Sequence, residues 1–224
     1  MALNAKTAGN SQGPKQDNLE PDVYPGRLVQ IIDYGLQAQK PYQGKDKPPV
    51  NVVGFTYELV TEFMKDDDGN DIEDKPRWIS ETMPLHNLKA DKAKSTQRYK
   101  AFDPTEQYDG DFVQCLDTPV NIIVTHNKQG DKLYVNVGDV TSMNAKKALA
   151  CPELKNPAKY FDLDAPDMDI FKSLPEWVQK KICENLNFKG SPLDKLLNGA
   201  PEKKVPKPVK AKPEADQEDE DIPY

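Results

Sequence analysis

Histidine and cysteine are scarce in this chain, with two of the first and three of the second among 224 residues, and no long stretch is continuously apolar. His86 and His126 lie in no recognisable nucleophile motif, so a Ser/His/Asp or Cys/His catalyst has almost no raw material; both read as surface or edge-strand residues. Cys115, Cys151 and Cys183 are odd in number, far apart and without CxxC spacing, which argues against a disulfide framework and a zinc site. They read as small buried hydrophobes in a reducing cytosol. No apolar run nears the ~20 residues that cross a bilayer. The opening MALNAKTAGNSQGPKQDN has no apolar segment of the kind a secretory signal carries. Carboxylates clustered on strands beside His or Lys, as two-metal hydrolysis requires, are missing too. No catalytic residue, metal or cofactor is expected, and no membrane partner.

What is abundant is charge and proline. Charged residues make up 30% of the chain against 37% hydrophobic, so parts of it are expected to lie outside any core. The net charge of −7 is unevenly spread. Residues 214–224 hold six acids and no base, −6; residues 201–213 hold five lysines and one glutamate, +4; residues 1–200 therefore carry −5. Segregation of this kind marks tails and linkers rather than a folded surface.

Strand signals begin at Arg27–Tyr34 after Pro25-Gly26, followed by a Pro/Gly/Lys loop over Ala38–Pro49. A long strand spans Val50–Phe63, where Gly54 suggests a bulge or bend. The turn around Asp68-Gly69-Asn70 leads to a third strand, Arg77–Met83. That acidic turn is no EF-hand loop, because Met64 stands where an acid is required. Asn87–Phe102 loses its β-branched residues and reads as a helix, with a short helical piece over Asp111–Leu116. Strands return at Pro119–His126 and Lys132–Val137. Beyond Ser142 the chain turns helical. Pro175 opens one helix running to Leu186, with Trp177, Val178, Lys181, Ile182 and Leu186 near one face; Ser191 caps another running to Leu197.

Three strands, a helix and two strands is the order of an OB barrel; a split sheet with a covering helix is the competing topology. The expected fold is thus mainly β with α additions, a five-stranded OB-type barrel with a helix between strands 3 and 4 plus C-terminal helices. The expected segments are a disordered arm over 1–22, the barrel over 23–142, a helical extension packed on it over 143–199, a Lys/Pro-rich linker over 200–213 and an acidic tail over 214–224.

The chain closes on Asp216-Gln-Glu-Asp-Glu-Asp-Ile-Pro-Tyr224. This resembles the C-terminal tip of bacterial single-stranded DNA-binding proteins, which end in several acids followed by Ile-Pro-Phe; here Tyr224 replaces the phenylalanine. The resemblance implies a partner-recruiting tip made by Asp219, Glu220, Asp221, Ile222, Pro223 and Tyr224. An aromatic ring with a terminal carboxylate suits a basic-rimmed apolar pocket on a replication or recombination protein. The body, through YPGRLVQIIDYGLQ, TYELVTEFMKDDDGNDIEDKPRWISETMPL and LPEWVQKKICENL, is similar to single-stranded DNA-binding proteins of tailed-phage replication modules, over roughly residues 20–200. That similarity implies a cytoplasmic protein, in the host cytoplasm if viral, that binds single-stranded DNA without catalysis.

Such binding needs cations for phosphates and aromatic faces for bases. The predicted helix offers Lys89, Lys92, Lys94, Arg98 and Lys100, with Tyr99 nearby, although Asp91 dilutes the face of Lys94 and Arg98. It reads equally as a solvated helix surface. Among strand aromatics, Tyr34, Trp78 and Tyr134 are stacking candidates. Trp78 alternates with Ser80 and Thr82, and Tyr134 with Lys132 and Asn136, both polar faces; Tyr57 alternates with Val53, Phe55 and Leu59 and reads as core. Lys40, Tyr42, Lys45 and Lys47 form a loop that could clamp a strand or simply be solvated. The rival reading is an interaction protein whose acidic tail mimics nucleic acid. The sequence leaves oligomeric state open, a homo-oligomer included.

Overall fold

The computed structural model describes residues 16–199. Five long strands, β1 (Val23–Gln37), β2 (Val50–Lys65), β3 (Asp71–Pro84), β4 (Pro119–Gln129) and β5 (Lys132–Ser142), form a curled antiparallel half-barrel sheet in the order β3-β2-β1-β4-β5. β1 is shared along its length: Val23–Arg27 pairs with β4, while the stretch from Gly26 onward pairs with β2. A three-residue strand, β6 (Lys159–Phe161), adds in parallel to β1 at Gln30–Ile32. The protein is mainly β, with few helices. No helix among the described residues is long and apolar enough to cross a membrane.

Alternation decides what fills the curl. On β2, Val53, Phe55, Tyr57 and Leu59 point inward; they join Leu28 and Ile31 of β1, Ile79 and Met83 of β3, and Ile122 and Val124 of β4 in one core. Helix α1 (Lys94–Phe102) contributes Tyr99, Ala101 and Phe102 to the same core, with the Phe102 ring edge-on to Phe55 at 5.4 Å.

The outer face of β1 and β2 carries a second core. Ile32 and Tyr34 pack there with Phe161 of β6, with Phe171 of α3 (Met168–Ser173), with Val178 and Ile182 of α4 (Glu176–Cys183) and with Leu193 of α5 (Pro192–Asn198). A small exposed helix, α2 (Ala145–Ala150), precedes this layer. Polar ties fix it to the sheet. Arg27 donates from Nε to the Pro152 carbonyl (2.7 Å) and from Nη2 to the Cys151 carbonyl (3.0 Å), and the Leu186 amide donates to the Leu36 carbonyl (2.8 Å).

Several local expectations are corrected. Gly54 sits in unbroken register on both sides, so it marks no bulge. It is bare because the Tyr34 ring lies over it: a Cβ there would meet Tyr34 Cε2 at 2.7 Å. The helix expected from Asn87 starts only at Lys94, because the Asn87 carboxamide accepts the Lys89 amide (2.9 Å) and its carbonyl accepts the Ala90 amide, holding a turn instead. The piece expected over Asp111–Leu116 is a single 3-10 turn, Val113–Cys115. The arm expected over 1–22 is tied down from Gln16 onward. Leu19 is buried in the core inside the curled sheet, its carbonyl meets His126 Nε2 at 2.7 Å, and Arg77 donates to the Asp17 carbonyl. Residues 1–15 of the N-terminal arm and the linker over 200–213 lie outside the described residues, as does the tail with Asp219, Glu220, Asp221, Ile222, Pro223 and Tyr224.

Candidate nucleic-acid interface

The outer layer does not cover the whole face of the sheet. Between β3 and the α3–α4 corner it leaves a groove of about 300 Å³. Its floor is a row of residues in direct register across four strands: Ser80 on β3 faces Thr56 on β2, Thr56 faces Gln30 on β1, and Gln30 faces Lys159 on β6. The Thr56 and Ser80 hydroxyls are 2.9 Å apart and share a hydrogen bond. The row runs from hydroxyls through a carboxamide to a cation.

Two aromatic rings flank this floor. Trp78 rises from β3, 43% exposed; Trp177, 63% exposed, belongs to α4 on the opposite wall, beside Pro175 and Ser173. They are the only tryptophans in the chain. The Trp78 ring is held in place. Its indole N–H donates to Glu58 Oε2 (3.1 Å), and this fully buried carboxylate also accepts the Lys155 amide (2.6 Å) and the Asn156 carboxamide (2.7 Å). Glu58 thereby joins one wall of the groove to the outer layer that builds the other. Exposed aromatic surface over a hydrogen-bonding floor with a cation at its end can stack flat rings and meet one anionic group.

Of the nine residues the sequence offered for DNA, two line this groove, Trp78 and Tyr34, and only Trp78 offers an exposed ring there. Three are out of reach. Tyr34 is 2% exposed, lies under the outer layer and carries the Lys181 ammonium over its ring at 4.7 Å; burial raises its phenol pKa. Arg98 is 1% exposed and bridges the seam where β3 and β5 are not paired. Its Nε and Nη2 donate to Glu81 (2.7 and 3.2 Å), and its Nη groups also reach Asp139 and the Gly138 carbonyl. Burial disfavours this guanidinium, yet its pKa is raised because Glu81 beside it outweighs that effect. Tyr99, 2% exposed, spends its hydroxyl on Asp103 (2.9 Å) and on the Gly110 amide (2.6 Å), stitching the loop after α1; burial first and the Asp103 carboxylate after it push the phenol up to about 12.

The remaining five are exposed but elsewhere. Lys94 pairs with Glu81 (2.7 Å) and Lys100 with Asp91 (3.0 Å). Lys89 and Lys100 share a hollow with Asp91, Glu106 and Asp109, so this side of the molecule has no net cationic face; Lys92 is exposed nearby in sequence. Tyr134 stands on the β4–β5 hairpin, 43% exposed, opposite Asn127. Trp177 is the residue that sequence reasoning missed. Helical spacing sets it near the same face as Val178, Lys181, Ile182 and Leu186, but only Val178 and Ile182 are buried there, with Lys181 half-buried and Leu186 exposed. No local signal separates it from them.

A cavity of about 450 Å³ lies on another side, and its lining is acidic. Asp33, Asp111 and Asp164 line it. Burial pushes the Tyr160 hydroxyl there up to about 12, helped by Asp162, Asp33, Asp164 and Asp111. Among the described residues no group of three or more His, Cys, Asp or Glu is arranged to hold a metal ion. Comparison with protein-family models, with curated proteins and with solved structures finds no match to this chain.

Proposed function

We propose that this protein is a single-stranded DNA-binding protein that stacks unpaired bases in the Trp78–Trp177 groove and performs no catalysis. The observation that carries this reading is the convergence of both tryptophans, exposed, on one groove whose floor ends in Lys159. Stacking on an aromatic side chain contributes ~1–3 kcal/mol per base and tolerates any sequence. A protein with few free cations near its site can bind nucleic acid this way. Duplex DNA, whose bases are already stacked, gains nothing from the rings.

The curled five-strand sheet, with β1 shared between its two halves and α1 between β3 and β4, supports reading the body as an OB-type barrel. The acidic tip is proposed to recruit replication or recombination proteins, and the protein is proposed to act in a cytoplasm, that of a host if it is viral. A rival reading, an interaction protein with no DNA binding of its own, draws on the fact that only one lysine lines the groove.

Fluorescence anisotropy with a labelled oligonucleotide separates the two. Trp78→Ala and Trp177→Ala should each weaken single-strand binding by roughly 5- to 150-fold, the equivalent of ~1–3 kcal/mol. The thermal midpoint should hardly move for Trp177→Ala and should fall for Trp78→Ala, which also removes one of the three donors to the buried Glu58 carboxylate. Tyr134→Ala, off the groove, should leave a short oligonucleotide's affinity unchanged. Equal affinity for duplex, or wild-type binding by both tryptophan variants, would overturn the proposal.

A further inference from the structure

The floor of the groove contains a polar group with no occupation in the fold. Gln30 is nine-tenths buried, at 9% exposure, in the middle of the row Ser80–Thr56–Gln30–Lys159. Its neighbours are engaged: the Thr56 and Ser80 hydroxyls bond each other, and across the sheet Glu58 is fully satisfied. The Gln30 carboxamide makes no hydrogen bond to another described residue. Every fully enclosed side-chain polar atom among the described residues does have a partner, so the free amide is reachable, and the space it reaches is the groove. A carboxamide at the floor of an open groove with no protein partner has its hydrogen-bonding capacity left for what enters the groove.

A carboxamide offers one acceptor and two donors side by side. What matches it is a flat group with an adjacent donor and acceptor, arriving at the depth where the rings of Trp78 and Trp177 hold a base. Adenine presents that pair on both edges, N6–H beside N7 and N6–H beside N1, so it meets Gln30 in either orientation of the stacked ring. Guanine, cytosine and thymine each present such a pair on the Watson–Crick edge alone, the N7/O6 edge of guanine holding two acceptors, and the pyrimidines also have the smaller stacking face. Lys159, next in the row, is placed for the phosphate of the same nucleotide. Resting on the single-strand reading, we propose that the groove discriminates: Gln30 reads the edge of one stacked base and confers a preference for adenine at that position.

The test compares adenine, thymine and cytosine homo-oligonucleotides of equal length by anisotropy, with wild-type protein and with Gln30→Met, which keeps the volume and removes the hydrogen bonds. Wild type should bind the adenine oligonucleotide about tenfold more tightly than the thymine one. In Gln30→Met that advantage should vanish, while thymine and cytosine binding stay within about twofold of wild type, the residual effect expected when only base-edge contacts are lost. A second measurement needs no variant. Replacing adenine by purine, which lacks the 6-amino group, removes the donor from both edges and should lower wild-type affinity by about the same factor. Equal binding of all three oligonucleotides by wild type, an adenine preference that survives Gln30→Met, or purine bound as well as adenine would each overturn base reading while leaving single-strand binding intact. Failure to bind any of them overturns the single-strand reading, and base reading with it.

Discussion

Replacing Arg98 by methionine should destabilise the protein while leaving the two tryptophans of the Trp78–Trp177 groove in place. The guanidinium is 1% exposed and is the side-chain bridge across the unpaired β3–β5 seam, donating twice to Glu81 on one side and reaching Asp139 and the Gly138 carbonyl on the other. Methionine fills most of the same volume but leaves Glu81, 5% exposed, with Lys94 and the Tyr57 hydroxyl as its remaining partners. Removing one member of a buried ion pair usually costs ~3–5 kcal/mol. The lower end applies here, about 3 kcal/mol, because Lys94 stays at 2.7 Å from the orphaned carboxylate. At ~2–4 °C per kcal/mol for a domain of this size, the thermal midpoint should fall by ~6–12 °C. Asp139, half exposed, is a weaker partner, and Asp139→Ala should cost less than ~1 kcal/mol. Combining Arg98→Met with Glu81→Leu and Tyr57→Phe removes the stranded polar groups along with the charge and should recover much of the loss. Circular dichroism melts of the four proteins, with anisotropy for single-stranded DNA alongside, make the comparison. An Arg98→Met protein that melts with wild type yet loses DNA affinity would refute the seam assignment and return Arg98 to the binding surface.

Three further outcomes follow from the same geometry. With one lysine lining the groove, the slope of log affinity against log salt for a short oligonucleotide should be about −0.7 to −1.4, the value for one or two neutralised phosphates on a single strand; a slope steeper than about −3 would mean a cationic track elsewhere. Asp33 has its pKa raised above 3.8 by burial, with Asp162 and Asp164 adding to it, so the folded state holds this proton more tightly than the unfolded chain does. Its stabilising contribution is therefore complete below pH 3.8 and lost as pH rises through the folded value. Asp33→Asn, which keeps an acceptor for the Gly35 amide, should raise the thermal midpoint at neutral pH and have no effect in acid; a gain at every pH would show a different cause. Deleting residues 214–224 should raise single-strand affinity at low salt, where the Debye length is ~30 Å at ~0.01 M, and abolish capture of a replication partner, as Tyr224→Ala alone should; no change in either assay would reduce the tail to a solubiliser.

The chain's own alternation was enough to locate the five long strands, because period-2 side-chain direction is written residue by residue: Val53, Phe55, Tyr57 and Leu59 inward on β2, Trp78, Ser80 and Thr82 outward on β3, although Thr56 and Glu58 on the outer side of β2 are buried as well. The polar setting of Trp78 was legible for the same reason. Helical faces were less so. Lys94 and Arg98 stand one turn apart on α1, yet one is half exposed and the other sealed, because Glu81 and Asp139 come from strands 17 and 41 residues from Arg98. Trp177 is exposed because α4 presses only Val178 and Ile182 onto a sheet face some 140 residues earlier, and Tyr34 is buried by that same docking. The three-residue β6 has no pattern of its own and exists as a strand only through its pairing with β1. The groove is wholly a tertiary object. Its floor takes one residue from each of four strands, and register between strands is set by packing of the whole sheet, which no local stretch of sequence encodes.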